Sequence, residues 1–249
     1  MKKLLLFISL LLLLNFSKIN VMAKSFSEAT EINPYTVSII GDSITYEPSY
    51  ATILSTNPVI SATTYAIGGT RVAGKDDSLS FVNRTKGVKY NSDLILIFGG
   101  TNDYFGMGNS SQLGEPSSTD LNTFYGAYNA MLNNISKNNP NSKIVLVTPI
   151  RRIEDDKPNI YGYNLSNYAY AIQNIALSRG LICIDLYDDK ECDFINNKYR
   201  LNGIDINFEN YSSTRSLNLK NELINDGLHP SIEGHKIIAN EFLKYIQNM

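Results

Sequence analysis

The sequence has no tryptophan, two cysteines and two histidines, and each shortage removes a class of protein. Two cysteines cannot build a disulfide scaffold or a four-cysteine zinc site. His229 and His235 cannot form a histidine-rich metal centre, and no paired carboxylates stand out, so metal-assisted and aspartic hydrolysis are both disfavoured. There is no basic excess, with 22 Lys and Arg against 24 Asp and Glu, which argues against a nucleic-acid partner. The turn after the first apolar strand, Gly41 to Tyr46, lacks the G-x-G-x-x-G of a dinucleotide site. Internal repeats and low-complexity linkers are missing too. What remains is globular: 249 residues, 43% hydrophobic and 18% charged, enough to bury a sizeable core.

The one long apolar run opens the chain. Lys2 and Lys3 precede residues 4–14, which are almost unbroken apolar, and Val21-Met22-Ala23 places short residues before a cut. This is the layout of a secretory signal peptide over residues 1–23. The run falls short of the ~20 residues a spanning helix needs, so an uncleaved anchor is the weaker alternative. The expectation is one exported, mildly acidic domain over residues 24–249, extracellular or held at the cell envelope, with no stable membrane insertion. Export permits a disulfide; Cys183 and Cys192 either pair or stay as free thiols.

Along the rest of the chain, short apolar runs alternate with helical patterns. Strands are predicted over residues 36–40, 61–66, 94–98, 143–148 and 181–184, most of them apolar on both faces, as buried parallel strands are. Between them, Leu121, Phe124, Tyr128, Leu132 and Ile135 recur at steps of three and four, with Thr119 or Asp120 as the expected N-cap. Leu165, Tyr168, Ile172, Ile175 and Ala176 form a second such face, stopped by Gly180, and Ile237 to Ile246 a third. Alternating strands and helices imply right-handed crossovers and a three-layer α/β/α sandwich with a mainly parallel five-stranded sheet. Ligands of such sheets sit outside the carboxyl ends of the strands.

The residues at those ends carry the chemistry: Gly41-Asp42-Ser43, Gly68-Gly69-Thr70, Gly99-Gly100-Thr101-Asn102-Asp103 and, before the last helix, Asp226-Gly227-Leu228-His229-Pro230. Together they supply an acyl-transfer site. Ser43 is the candidate nucleophile and needs an adjacent base, which His229 can be, with Asp226 to orient the imidazole. Asn102 by its side chain, and Gly69 and Ser43 by their backbone N–H groups, are the candidate oxyanion donors. Alone, Ser43 would read as a helix cap. Asp42 and Asp103 read as loop-bracing acids, and His235 as structural or surface.

These four segments resemble the blocks of the SGNH, or GDSL-type, serine esterases and acylhydrolases, in order and in rough spacing. The resemblance covers nearly all of the chain after the leader. It continues through Thr123-Phe124-Tyr125-Gly126-Ala127, Thr148-Pro149-Ile150-Arg151 and Gly234-His235, which look like a lysophospholipase-like bacterial branch. It implies a flavodoxin-like α/β/α sandwich, an acyl-enzyme mechanism and no metal or organic cofactor. Two departures stand out. Tyr46, Glu47 and Pro48 follow the serine where small residues are usual, and Thr64 and Tyr65 occupy a neighbourhood that often holds asparagine.

Arg71, Tyr104, Phe105 and Arg151 are the candidate cleft residues, with Tyr104, Phe105 and Met107 expected in a loop over the acyl pocket. Residues 188–225 read as a long, polar, poorly periodic segment, and long irregular loops near a site often act as lids or specificity elements. The substrate expected is a small O-acyl group on a glycan or cell-wall polymer. A lipase or lysophospholipase taking longer chains is the alternative, and a catalytically dead binding module a remote one.

Overall fold

Strands that are apolar on both faces, as those over residues 94–98 and 144–147 are, need cover on both sides, and the fold supplies it. In the computed structural model the described residues are 33–46, 48–105, 110–152, 155–189, 200–201, 204–205 and 226–248. The expected leader, Met107, Cys192 and most of residues 190–225 lie outside them. The chain divides into Met1–Asn33 and a second unit, Pro34–Met249, which carries every element named below.

The strands are β1 (Tyr35–Gly41), β2 (Ile60–Ala66), β3 (Leu94–Phe98), β4 (Lys143–Val147) and β5 (Ile182–Ile184). The helices are α1 (Tyr50–Leu54), α2 (Phe81–Arg84), α3 (Thr101–Phe105), α4 (Phe124–Asn138), α5 (Leu165–Arg179) and α6 (Ile232–Ile246). A short antiparallel pair, β6 (Arg200–Leu201) with β7 (Ile204–Asp205), stands apart from the main sheet. The main sheet has five strands in the order β2-β1-β3-β4-β5, all parallel.

The period of two along each strand sorts side chains between two cores. Ile40, Ile95, Ile97, Ile144 and Leu146 face α4 and α5. Val37, Ile39, Leu96, Val145 and Val147 face α1 and α6. Each fully buried Leu, Ile or Val contributes about 1.5–3 kcal/mol relative to exposure, so the two faces together anchor the sheet. Phe124 packs edge-on against Tyr128 and Tyr168, with ring centroids 5.0 and 5.1 Å away. Of the tyrosines expected to pack, Tyr168 is core, whereas Tyr161 and Tyr170 remain 42% and 46% exposed.

One helix boundary differs from the periodicity. Leu121 precedes α4, which starts at Phe124 with Thr123 as its N-cap, the Thr123 hydroxyl accepting from the Gly126 amide. The Asp120 carboxylate accepts from the Asn122 amide and its carbonyl from Thr123, so Asp120 closes a separate turn. That turn lies directly on Gly126, where a Cβ would come within 2.1 Å of the Asp120 carbonyl oxygen. The short helices α1, α2 and α3 escaped a reading that relies on helical periodicity, since four or five residues scarcely complete one turn.

Register aligns the strand ends. Gly41 sits opposite Ala66 on one side and Phe98 on the other. The segments that follow β1, β2 and β3 therefore leave the sheet at one level. The chain turns to opposite sides at β1 and β3, and the crevice of an open α/β sheet opens at such a switch point.

Candidate active site

The turn after β1 is built around Asp42. Its carboxylate accepts from the Ile44 amide at 3.0 Å, and its carbonyl accepts from Thr45 and Tyr46. Beneath it, Thr45 and Tyr50 hydroxyls are 2.7 Å apart, and the Ser49 hydroxyl donates to the Thr45 carbonyl. Gly41 permits this packing, because a Cβ there would lie 2.0 Å from the Thr45 Oγ1. Ser49, not Ser43, caps α1. The Ser43 hydroxyl is left for His229.

His229 Nε2 lies 2.9 Å from Ser43 Oγ, and its Nδ1 lies 2.7 Å from Asp226 Oδ2. A carboxylate can only accept, so Asp226 fixes the proton on Nδ1 and leaves Nε2 to accept from the serine. Asp226 is itself held, its Oδ1 accepting from the Leu228 and His229 amides at 3.0 and 2.7 Å. Partial burial pushes its carboxyl up, but the His229 amide and ring bonds and the Leu228 amide outweigh this and hold it below the usual range. The loop runs into α6, whose N-cap Ser231 accepts from the Gly234 amide. One turn on, His235 Nδ1 accepts from the Tyr50 amide, tying α6 to α1 beside the serine turn. Burial, and then the neighbouring His229, depress the His235 imidazole to about 4, so it is neutral and structural.

Asn102 lies at the start of α3 and donates one amide hydrogen to the Thr70 carbonyl at 3.0 Å. The second hydrogen of that NH2 is unused by this bond. Thr70 follows Gly69, which has φ +74°, a conformation few other residues adopt. A Cβ on Gly68 would lie 3.8 Å from that of Ser43, which places this turn beside the serine. Asp103 braces the arrangement. It is fully buried and accepts from the Val72 amide (2.7 Å), the Ala73 amide (3.0 Å) and the Ser111 hydroxyl (2.7 Å). Both bracing acids are strained electrostatically. Burial, opposed by the Ile44 amide, raises the Asp42 carboxyl to about 6, and burial raises that of Asp103 as well.

The cleft residues separate. Arg71 lines a polar cavity of about 300 Å³. Tyr104 and Phe105 belong to α3 and not to a loop, the Tyr104 amide bonding back to the Gly100 carbonyl. Tyr104 is buried, with its hydroxyl on the Lys157 carbonyl, and both residues line a second cavity of about 270 Å³. Arg151 is engaged elsewhere, with its Nε on the Tyr187 carbonyl, its guanidinium over the Tyr187 ring, and Asp188 and Asp155 beside it. Its neighbour Arg152 is the arginine at α3, its guanidinium 3.8 Å from the Phe105 ring centroid. Of the residues that depart from the block pattern, Tyr46 is 61% exposed, and Tyr65 packs edge-on to Tyr90, away from a catalytic role.

Sequence reading missed Arg84. Its guanidinium donates to the Gly41 carbonyl at 2.7 Å and to the Tyr65 carbonyl, and it stacks on Phe81. It thus clamps the ends of β1 and β2 just before the serine turn. Nothing in the sequence marked it, since it ends a four-residue helix far from any motif. Among the described residues, no group of three or more His, Cys, Asp or Glu is placed to hold a metal ion. Among the same residues, no helix is long and apolar enough to cross a membrane.

A parallel α/β/α sandwich with a Ser-His-Asp row above the carboxyl ends of its strands is the frame of an α/β serine hydrolase. The chain belongs to the GDSL-like lipase/acylhydrolase family, whose members are carboxylic ester hydrolases; the family model matches residues 39–237. Among solved structures it is similar to a protein from Lactobacillus plantarum, at 24% identity and TM-score 0.66, over 87% of this chain and 98% of that one. A possible lipase from Chitinophaga pinensis is 26% identical with TM-score 0.65, over 86% and 98% of the two chains. A variant of an acetyl-xylooligosaccharide esterase from Geobacillus shares the fold at 20% identity and TM-score 0.52, over 87% and 96%. No curated protein matches the chain by sequence.

Proposed function

We propose that the protein is an exported serine esterase that removes short O-acyl groups, such as O-acetyl, from a hydroxyl-rich substrate through a Ser43 acyl-enzyme. The observation that carries this reading is the unbroken row Asp226–His229–Ser43, with contacts of 2.7 and 2.9 Å. His229 takes the Ser43 proton as the oxygen attacks the ester carbonyl, and the imidazolium that forms is stabilised by Asp226. The same proton then passes to the leaving alcohol. Water, activated by His229 in turn, hydrolyses the acyl-enzyme and returns Ser43. Asn102 Nδ2 and the Gly69 and Ser43 amides receive the oxyanion; one such donor is worth about 2.7–4 kcal/mol in the transition state.

The preference for short chains rests on the cavity at Tyr104 and Phe105, whose walls mix Pro158 and Ile160 with Arg152, Lys157 and Asn159. Each buried methylene gains about 0.8 kcal/mol against apolar walls, so an acyl chain lying in this cavity gains only along the part lined by Tyr104, Phe105, Pro158 and Ile160. The lipase reading draws on Ile160, 66% exposed at the rim of the same cavity, and on the Chitinophaga relative. Export rests on Lys2, Lys3 and the apolar residues 4–14.

The test is hydrolysis of p-nitrophenyl esters from acetate to long acyl chains, with Ser43→Ala alongside. The expected result is serine-dependent turnover that peaks at acetate and fades with length. A peak at long chains would replace this reading with the lipase one. Turnover that survives in Ser43→Ala would remove the mechanism.

A further inference from the structure

Beyond the reacting groups, the polar cavity at Arg71 lies beside the segments that carry the candidate oxyanion donors. Arg71, one residue past the Thr70 that holds Asn102, forms one wall. Ser110, which bonds the Tyr104 carbonyl of α3, forms another. The cavity is about 300 Å³, at the lower end of small-molecule sites. Its remaining side chains include Gln112, Asp120, Asn122 and Tyr161.

The frame behind these side chains is rigid. The Gly74 amide donates to the Leu121 carbonyl at 2.8 Å and the Lys75 amide to Asn122 Oδ1 at 3.0 Å. Gln112 bridges to Thr123, the N-cap of α4. Gln112, Asp120, Asn122 and Tyr161 are exposed, and among the described residues no side-chain bond occupies the Gln112 amide, Asn122 Nδ2, the second Asp120 oxygen or the Tyr161 hydroxyl, which keep hydrogen-bonding capacity. Tyr161 also offers an exposed ring. The mixture selects by chemistry. Asp120 repels an anionic headgroup, polar walls give an acyl chain nothing, and paired amides, carboxylate, guanidinium and phenol together suit alternating hydroxyl donors and acceptors on a ring.

We propose that this cavity is a saccharide subsite that holds the alcohol portion of the ester while its acyl carbonyl lies at Ser43. This rests on the esterase reading above and deepens it by assigning named residues to the alcohol side of the ester. Tyr161 would stack on a sugar ring, and Gln112, Asn122 and Asp120 would bond its hydroxyls.

The experiment compares kcat/KM for p-nitrophenyl acetate, which has no sugar, with that for O-acetylated oligosaccharides on xylo-, gluco- and chito-backbones. Wild type, Tyr161→Ala and Gln112→Ala are assayed with thermal melts alongside; both side chains are solvent-exposed, so folded variants are expected. The expected result is acetate release from at least one oligosaccharide. In each variant the ratio of sugar-ester to p-nitrophenyl-acetate kcat/KM falls about tenfold, mainly through KM. An unchanged ratio in both variants overturns the subsite and leaves the esterase standing. So does hydrolysis of p-nitrophenyl acetate with none of any sugar ester. Loss of serine-dependent hydrolysis on every substrate overturns the esterase reading, and this one with it.

Discussion

Replacing Asp103 tests whether the oxyanion side of the site is held by one buried carboxylate. Its two oxygens satisfy the Val72 and Ala73 amides and the Ser111 hydroxyl, all buried. In Asp103→Ala these donors lose their acceptor, at about 1–3 kcal/mol for each group left unsatisfied. For the three donors the total is roughly 3–9 kcal/mol, a large part of the about 5–15 kcal/mol that keeps a typical domain folded. Asp103→Asn separates two opposing effects. With its oxygen at the Oδ1 position it keeps Ala73 and Ser111 and turns an NH2 on the Val72 amide, losing about 1.5–3 kcal/mol. It also removes a charge that burial already disfavours, as the raised carboxyl pKa records, and this returns part of the loss. The net expectation is about 1–2 kcal/mol. Urea unfolding reads both numbers from the shift in midpoint at constant m. The order wild type, Asn, Ala is the required result. Equal midpoints for wild type and Ala would show that the loop of residues 70–73 does not depend on Asp103.

Asn102→Ala should lower kcat by 10²- to 10³-fold with little change in KM, because the amide acts on the oxyanion; steady-state kinetics on p-nitrophenyl acetate reads the split. Asp42→Asn keeps an acceptor for the Ile44 amide and removes a carboxyl whose folded pKa is raised to about 6 from an ordinary 3.8. A raised carboxyl stabilises fully below pH 3.8 and loses that contribution as pH climbs through about 6. Melting curves should therefore show wild type falling relative to the variant between pH 4 and 7, by at most about 3 kcal/mol; parallel curves would contradict the assignment. Arg84→Lys keeps the charge but not the two-pronged grasp on Gly41 and Tyr65, so kcat should drop about five- to tenfold, with a stability loss of about 1–2 kcal/mol in urea titration.

Legibility followed the length scale of the cause. β3 was readable to the residue because five apolar side chains in a row have no alternative but burial on both faces. That Ser43 and His229 would meet was readable because a serine after the first strand and an Asp-x-x-His segment before the last helix are a pair of types that acyl-transfer chemistry requires together. The start of α4 was not: Leu121 continues the helical period, and only the fit of the Asp120 turn onto Gly126 displaces it. Arg84 and the separate duties of Arg151 and Arg152 were invisible for a related reason. Adjacent arginines look alike in a sequence, and what distinguishes them is whether Tyr187 or Phe105 lies underneath.

Ser43 and His229 touch across 186 residues of sequence. No local segment holds both, and α6, which follows His229 directly, packs in the same core as α1 and β1. On the proposed mechanism, Ser43 emerges early during synthesis and stays inert, since a serine without its base attacks nothing at a useful rate. The same mechanism requires the last helix to pack on the sheet before activity appears, a long-range contact of the kind that forms late. On the proposed mechanism, a chain clipped between Ile184 and Asp226 would retain all five strands of the main sheet but lose the base together with the helix that covers one face of it, so cleavage there would disarm this hydrolase.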